Sequence, residues 1–209
     1  MITEALLGAK LVLSGLVGGN DSFSRLFVMG LHQINSLLLT GSVALVALYS
    51  SDLPEKLRSA SRSSSEKTSP LRKLGPSFLL LFIVVAVTGA FAALSSTLFP
   101  STSVMEGLTQ DFAPDAHYLL RLRIAHPILA TLVGGSLALY FWLKAQQENN
   151  AVLSKVQTQV ALIFVAGVLF GYITLFSLAP IWMKVSHLLI AHLIWISLLR
   201  WYCLKNLKS

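Results

Sequence analysis

Long, continuous apolar stretches separated by short polar connections dominate the chain. Their hydrophobic positions show no strict two-residue alternation, which excludes the strands of a membrane β-barrel. Apolar runs of about 20 residues are typical of helices that cross a bilayer. Six such segments are present, at residues 5–19, 26–49, 77–98, 120–143, 156–178 and 185–203. The first is short but can still cross if it tilts, with Lys10 reaching toward the interface.

Composition supports the same fold class. Hydrophobic residues make up 55% of the 209 positions, charged residues make up 12%, and the mean hydropathy is +0.71. Such a chain is far too apolar for a soluble domain of this size. The chain is therefore predicted to be an all-α polytopic membrane protein with about six transmembrane helices. Cys203 is the single cysteine, so an internal disulfide and a CxxC site are both excluded.

Lysine and arginine are distributed unevenly between the two sides that these segments define. One side holds four, namely Arg25, Arg121, Arg123 and Lys184. The other side holds eleven: Lys56, Arg58, Arg62, Lys67, Arg72, Lys73, Lys144, Lys155, Arg200, Lys205 and Lys208. Because cytoplasmic loops carry such an excess, both termini are predicted to be cytoplasmic, in a membrane of the bacterial inner type. The net charge of +7 therefore reflects membrane topology and contact with lipid, and gives no reason to expect a nucleic-acid partner.

Two parts of the chain repeat one another. VLSGLV at 12–17 matches VLFGYI at 168–173, and GLHQINSLLL at 30–39 matches SHLLIAHLIW at 186–195. Internal duplication is common in membrane bundles. We therefore divide the chain into a remnant of a first pseudo-repeat (1–50), a basic cytoplasmic linker (51–76) and a second pseudo-repeat that forms a four-helix bundle (77–209). Two further spans precede the second copy but not the first, so an N-terminally short form is expected.

Four histidines lie at a similar predicted depth on three different segments: His32, His126, His187 and His192. Ionisable residues inside membrane spans mark functional sites, and a pair of histidines from facing helices can hold a haem in a bundle core. The alternative is that each histidine only hydrogen-bonds to a neighbouring helix. His187 and His192 are five residues apart, about 140° around a helix, so they cannot both face one haem. The repeat aligns His187 with His32, which makes His187 the expected ligand and His192 an interhelical hydrogen-bonding residue.

Arg123 and His126 share a helix face, with the arginine one turn nearer the outer end. This spacing suits a haem whose iron binds His126 and whose propionates point outward to guanidinium groups. Arg121 faces elsewhere, toward a second propionate or toward lipid headgroups, and His117 is interpreted as a solvated interfacial residue. Glycines in the spans, including Gly89 and Gly171, permit close helix packing or leave space for a macrocycle. Tryptophans are expected near the membrane interfaces.

Several motifs resemble one known family. The run ALLGAKLVLSGLVGGNDSFSRLFVMGLHQINSLLL is similar to the third and fourth spans of the haem A synthase family. AHYLLRLRIAHPILA is similar to the opening of that family's sixth span, and FVAGVLFGYITLFSLAPIWMKVSHLLIAHLIWI resembles its seventh and eighth. The resemblance covers nearly all of the chain except the basic linker.

The resemblance implies eight spans in two pseudo-symmetric bundles, and oxidation of a haem O methyl to the formyl of haem A for cytochrome oxidase. It implies that His126 and His187 bind a resident haem b and that His32 is one of two histidines flanking the substrate haem O. Arg123 and Arg121 are assigned to the resident haem. The partner histidine and the acidic residue of the family's second span have no counterpart here. Haem O synthase and oxidase assembly factors are the implied partners. Two alternatives remain, a non-enzymatic bis-histidine haem b protein and a haem-free membrane assembly factor.

Overall fold

The computed structural model of the chain describes residues 2–52, 55 and 75–208, in which there are seven helices and no strand. The helices are α1 (Ile2–Leu13), α2 (Phe23–Tyr49), α3 (Gly75–Leu98), α4 (Val104–Phe112), α5 (Tyr118–Gln147), α6 (Ala151–Phe176) and α7 (Ile181–Lys208). Five of them, α2, α3, α5, α6 and α7, are long and apolar enough to cross a membrane. The predicted class, an all-α polytopic membrane protein, is confirmed.

The first predicted span differs from the structure in its extent. The apolar segment at 5–19 corresponds to α1, which has 12 residues and ends at Leu13. At 1.5 Å per residue it is about 18 Å long, against about 30 Å for a bilayer core. The helix ends there because Gly15 and Gly18 adopt left-handed backbone conformations, with φ of 64° and 60°. Within the described residues, α1 therefore packs along only part of α2.

Helices α3, α5, α6 and α7 form a four-helix bundle. Helix α3 packs against α5, α5 against α6, α6 against α7 and α7 back against α3, which closes the ring. Phe141, Phe164, Leu198 and Trp201 belong to the core of this bundle. Trp195 and Trp201 are buried there, whereas Trp142 and Trp182 are exposed, and the expected position of the tryptophans near the membrane interfaces stays a prediction.

Helix α2 attaches the first part of the chain to this bundle. It packs against α3 and α7, and the buried Trp195 indole Nε1 donates a hydrogen bond of 2.7 Å to the carbonyl oxygen of Leu37. Gly41 permits the approach, because a Cβ there would lie 2.7 Å from Leu199 Cδ1 and 2.8 Å from Trp195 Nε1. Most of the predicted linker 51–76 lies outside the described residues, and the domain boundaries stay a prediction.

The short helix α4 lies between α3 and α5. The Ser103 hydroxyl caps it by accepting a hydrogen bond of 3.1 Å from the backbone N–H of Glu106. Glu106 Oε2 accepts hydrogen bonds from the backbone N–H of Thr102 at 2.7 Å and from the Thr102 hydroxyl at 2.5 Å. These hydrogen bonds lower the pKa of the Glu106 carboxyl below its ordinary value, with the Thr102 hydroxyl as the main cause. The first turn of α4 is thus capped, and the helix packs against α5.

Candidate haem-binding site

His126 of α5 and His187 of α7 face each other inside the four-helix ring. Their ring centres are 6.2 Å apart and the ring planes are inclined by 74°. The two histidines lie eight and six residues after the first residues of their helices, at closely similar depths. Two imidazoles from different helices therefore converge on one point between them, as the depth of the histidines predicted.

Hydrogen bonding fixes the tautomer of the His126 imidazole. Its Nδ1 lies 3.2 Å from the carbonyl oxygen of Val85 and 3.3 Å from the Thr88 hydroxyl, which itself donates to that carbonyl. Because a carbonyl oxygen can only accept, Nδ1 carries the proton and Nε2 keeps its lone pair. Such a hydrogen bond through the other ring nitrogen is typical of metal-ligating histidines.

The neighbours of the His187 ring differ from those of His126. Phe170 of α6 lies parallel to it, with ring centres 6.1 Å apart and an angle of 13°. Its Nδ1 is buried and has no hydrogen-bond partner among the described residues. An unpaired buried nitrogen is costly, and costs of this kind concentrate at functional sites.

Glycines hold both rings in place. A Cβ at Gly89 of α3 would lie 2.9 Å from His126 Cε1, and a Cβ at Gly171 of α6 would lie 3.1 Å from His187 Cε1. Each imidazole therefore occupies the space that a side chain would otherwise fill. Gly134 and Gly167 serve helix packing instead, since Gly134 admits Val168 and Gly167 admits Ile194.

The spacing of the pair fits an iron ion held from two sides. A metal–imidazole bond is about 2 Å long, and adding the distance from each nitrogen to its ring centre gives about 6 Å between the centres. The observed 6.2 Å agrees with this value. The proton on His126 Nδ1 and the glycines behind both rings also suit two neutral imidazole ligands. The residues present therefore fit a bis-histidine haem.

Arg123 lies one turn outside His126, but its guanidinium already has partners. It donates to Asp111 Oδ1 from Nε at 2.9 Å and from Nη2 at 2.5 Å, and it also contacts the carbonyl oxygens of Phe99 and Gly107. The two charged side chains are 12% and 9% exposed. Arg123 therefore fastens α4 to α5, and its predicted contact with a propionate stays a prediction. Arg121 donates to the carbonyl oxygen of Pro114 at 2.9 Å, and its predicted role also stays open.

Lys184, near the start of α7, is a further cation on this side of the bundle, and it was not predicted as a site residue. It lies one turn outside His187, as Arg123 lies one turn outside His126. Its Nζ donates to the hydroxyls of Thr97 at 2.8 Å and Ser96 at 3.4 Å, both at the outer end of α3. No carboxylate pairs with it among the described residues. The spacing of three residues before His187 was the signal that could have identified it.

His32 does not join the pair of facing histidines. It lies on α2, where its Nδ1 is 3.4 Å from Glu4 Oε1 of α1. Asn35 of α2 donates from its amide to the other oxygen of the same carboxylate. Sequence reasoning overlooked Glu4, although a carboxylate in an apolar segment is itself a signal of function.

The remaining two histidines have separate surroundings. His192 makes no hydrogen bond within the described part of the chain, so its predicted interhelical hydrogen bond is not seen, and Glu4 lies within electrostatic range of it. His117 caps α5 by accepting the amide of Leu119 at 3.3 Å, and its Nε2 is 3.5 Å from Asp21 Oδ2. It thus contacts the α1–α2 turn, which its interpretation as a solvated residue did not anticipate.

The chain is similar to one known protein family and to two curated proteins. A family model described as cytochrome oxidase assembly protein matches residues 1–199. Two curated relatives, both named protoheme IX farnesyltransferase, come from two strains of Thermus thermophilus. They are 34% and 33% identical to the chain over 197 residues, which is 94% of the chain. The chain spans only 31% of the length of each relative. No solved structure matches.

Proposed function

Because the chain belongs to the cytochrome oxidase assembly protein family, the haem A synthase family, we propose that it is a haem A synthase-type membrane oxidoreductase. In this proposal the substrate is haem O, a methyl group of which is oxidised to the formyl group of haem A. The chain contributes a resident haem b site at His126 and His187, and His32 as one histidine beside the substrate haem. Family membership supports a role in cytochrome oxidase assembly.

The observation that carries the proposal is the facing pair of imidazoles at the centre of the bundle. With their ring centres 6.2 Å apart, His126 and His187 would hold one haem iron between them. Haem b bound there would supply one-electron transfer. The chain's own residues hold and orient the ligands: Val85 keeps the proton on His126 Nδ1, and Gly89 sets the position of that ring.

Lys184 and Arg123 are positively charged and lie one turn outside the two histidines. They support an orientation in which the haem carboxylates point outward. Lys184 lies one turn outside the pair and is bound only to hydroxyl groups among the described residues, so it is free to pair with a propionate. Arg123 can contact a propionate only by sharing its guanidinium with Asp111. We assign the first carboxylate contact to Lys184 and keep Arg123 and Arg121 as secondary partners.

Location and partners follow from the helices and from the relatives. The chain is an integral membrane protein with five helices able to cross the bilayer. The excess of basic residues on one side supports a bacterial inner membrane with cytoplasmic termini. The relatives are named for farnesyl transfer to protohaem IX, which supports a haem O synthase-type partner that hands its product to this site.

A non-enzymatic bis-histidine haem b protein is the second candidate. It is favoured by the surroundings of His32, which contacts Glu4 of α1, whereas His126 and His187 face each other. Such a protein would bind haem b at His126 and His187 and transfer electrons without forming haem A.

The first experiment is a reduced-minus-oxidised visible spectrum of the purified protein, with pyridine haemochrome analysis of the bound haem. A low-spin b-type spectrum is expected, and a protein without a Soret band after haem-replete expression would instead indicate a haem-free assembly factor. The enzymatic claim is tested separately in cells that lack another haem A synthase. Haem A in their membranes supports the enzyme, whereas haem b binding without haem A supports the second candidate.

A further inference from the structure

A carboxylate inside the apolar segment of α1 is the feature of the first pseudo-repeat that the proposed function does not use. Glu4 Oε1 lies 3.4 Å from His32 Nδ1, and Glu4 Oε2 accepts the side-chain amide of Asn35. Carboxylates are expensive in apolar surroundings and are kept where they have a partner and a role. Glu4 has partners on both of its oxygens.

The arrangement is built to aim the carboxylate at one ring nitrogen. His32 and Asn35 are three residues apart on α2, so they present their side chains on one face of that helix. Asn35 holds one oxygen of Glu4, which leaves the other oxygen directed at the imidazole. His32 Nδ1 is buried and makes no hydrogen bond among the described residues, and Glu4 Oε1 lies 3.4 Å from it, within ion-pair distance.

We infer that Glu4 is a positioning residue for His32, which it holds with the proton on Nδ1 and the lone pair on Nε2. This inference rests on the proposed function, in which His32 stands beside the substrate haem. A carboxylate beside the ring nitrogen that does not bind the metal fixes the orientation of a ligating imidazole and makes it a stronger electron donor to iron. Among the described residues no carboxylate lies beside His187, whereas Glu4 lies 3.4 Å from His32 Nδ1, so the charges around the two histidines differ.

The competing explanation is that Glu4 only joins α1 to α2. Polar side chains often connect membrane helices, and Glu4 contacts two residues of α2. A connecting role affects folding and leaves the electronic properties of a haem at His32 unchanged. Affinity and reduction potential of that haem therefore distinguish the two explanations.

The test uses the full chain, purified with its resident haem, and titrated with haem O. Glu4→Ala, Glu4→Gln, His32→Ala and the double variant of Glu4→Ala with His32→Ala are compared by difference spectra and redox titration. We expect Glu4→Ala to weaken haem O binding about 10–100-fold, the usual effect of removing such a partner, and to raise the reduction potential of that haem. Glu4→Gln should fall between Glu4→Ala and the parent, because its amide oxygen accepts a hydrogen bond without charge.

The double variant is decisive. If Glu4 acts through His32, adding Glu4→Ala to His32→Ala causes no further loss of haem O binding. Equal losses in both backgrounds, or an unchanged affinity and potential in Glu4→Ala, would overturn the inference and leave the helix-joining role. The inference would also be overturned if the effect of Glu4→Ala on haem O binding disappeared in a His192→Ala background and persisted in a His32→Ala background. The carboxylate would then act on His192 of α7.

Two controls separate this inference from the proposed function. Lys10→Met removes the other charge of α1 and should change neither haem. The resident haem b content reports on folding of the bundle in every variant. If His32→Ala leaves haem O binding intact, the assignment of His32 in the proposed function fails; if only the Glu4 variants are silent, that assignment survives and this inference fails.

Discussion

Substitution of Gly89 by alanine tests whether the position of the His126 ring determines haem binding. The new Cβ would lie 2.9 Å from Cε1 of the ring and 3.3 Å from both ring nitrogens. Ordinary contact begins at 3.4 Å, so the imidazole must retreat by about 0.5 Å or rotate. Misplacing a metal ligand through its supporting neighbours typically costs 10–100-fold in affinity. That range corresponds to about 1.4 to 2.8 kcal/mol of binding free energy.

The assay is haem titration of the purified protein by Soret absorbance, together with thermal unfolding. Two matched variants separate ligand position from general packing. Gly41→Ala brings a Cβ within 2.7 Å of Leu199 and 2.8 Å of Trp195, a comparable clash far from the histidines. Gly135→Ala meets nothing within 4 Å. We expect Gly89→Ala to lose haem affinity, Gly41→Ala to lose stability with its affinity retained, and Gly135→Ala to resemble the parent.

One result would refute this reasoning. If Gly89→Ala and Gly41→Ala lost haem in the same proportion as they lost folded protein, haem binding would depend on the integrity of the bundle alone. The facing histidines would then be polar contacts between helices.

The remaining predictions concern the haem-binding histidines, Lys184 and helix α4. His126→Ala and His187→Ala should each abolish bound haem b while His192→Ala retains it, and equal loss in all three would contradict the assignment. Lys184→Met should lower the reduction potential of the resident haem, since a cation near the propionates favours the reduced state, and an unchanged potential would exclude that contact. Asp111→Asn should loosen α4 by on the order of 3 kcal/mol, detected as faster amide exchange over 104–112. Because folding lowers the pKa of Glu106, this carboxylate stabilises the folded state at pH values above the ordinary carboxyl pKa. The stabilisation is lost as the pH falls through the pKa of Glu106 in the folded protein. Acidification should therefore speed amide exchange at the start of α4 while the amides of the spans stay protected.

Helical periodicity and membrane depth explain why the sequence predicts the pair of histidines. Both quantities depend on residue number along a regular helix, so His126 and His187 could be placed at one level before any contact was known. The partner of Arg123 could not be predicted in this way. Asp111 lies in a short helix between two spans, and its position depends on how that connection folds back over α5. The contact of His117 with Asp21 and the burial of Trp201 also depend on packing.

The internal repeat aligns His32 with His187, but the structure gives these histidines different surroundings. His187 faces Gly171, sixteen residues earlier, whereas His32 faces Glu4, twenty-eight residues earlier. The longer turn between α1 and α2 accounts for the difference, because it moves the level at which the two helices meet. Among the described residues the two repeated segments therefore differ in that a carboxylate lies beside His32 and none lies beside His187, while neither Nδ1 makes a hydrogen bond. Under the proposed function, this difference in surroundings would give the electron-transferring haem and the substrate haem histidine ligands of different basicity.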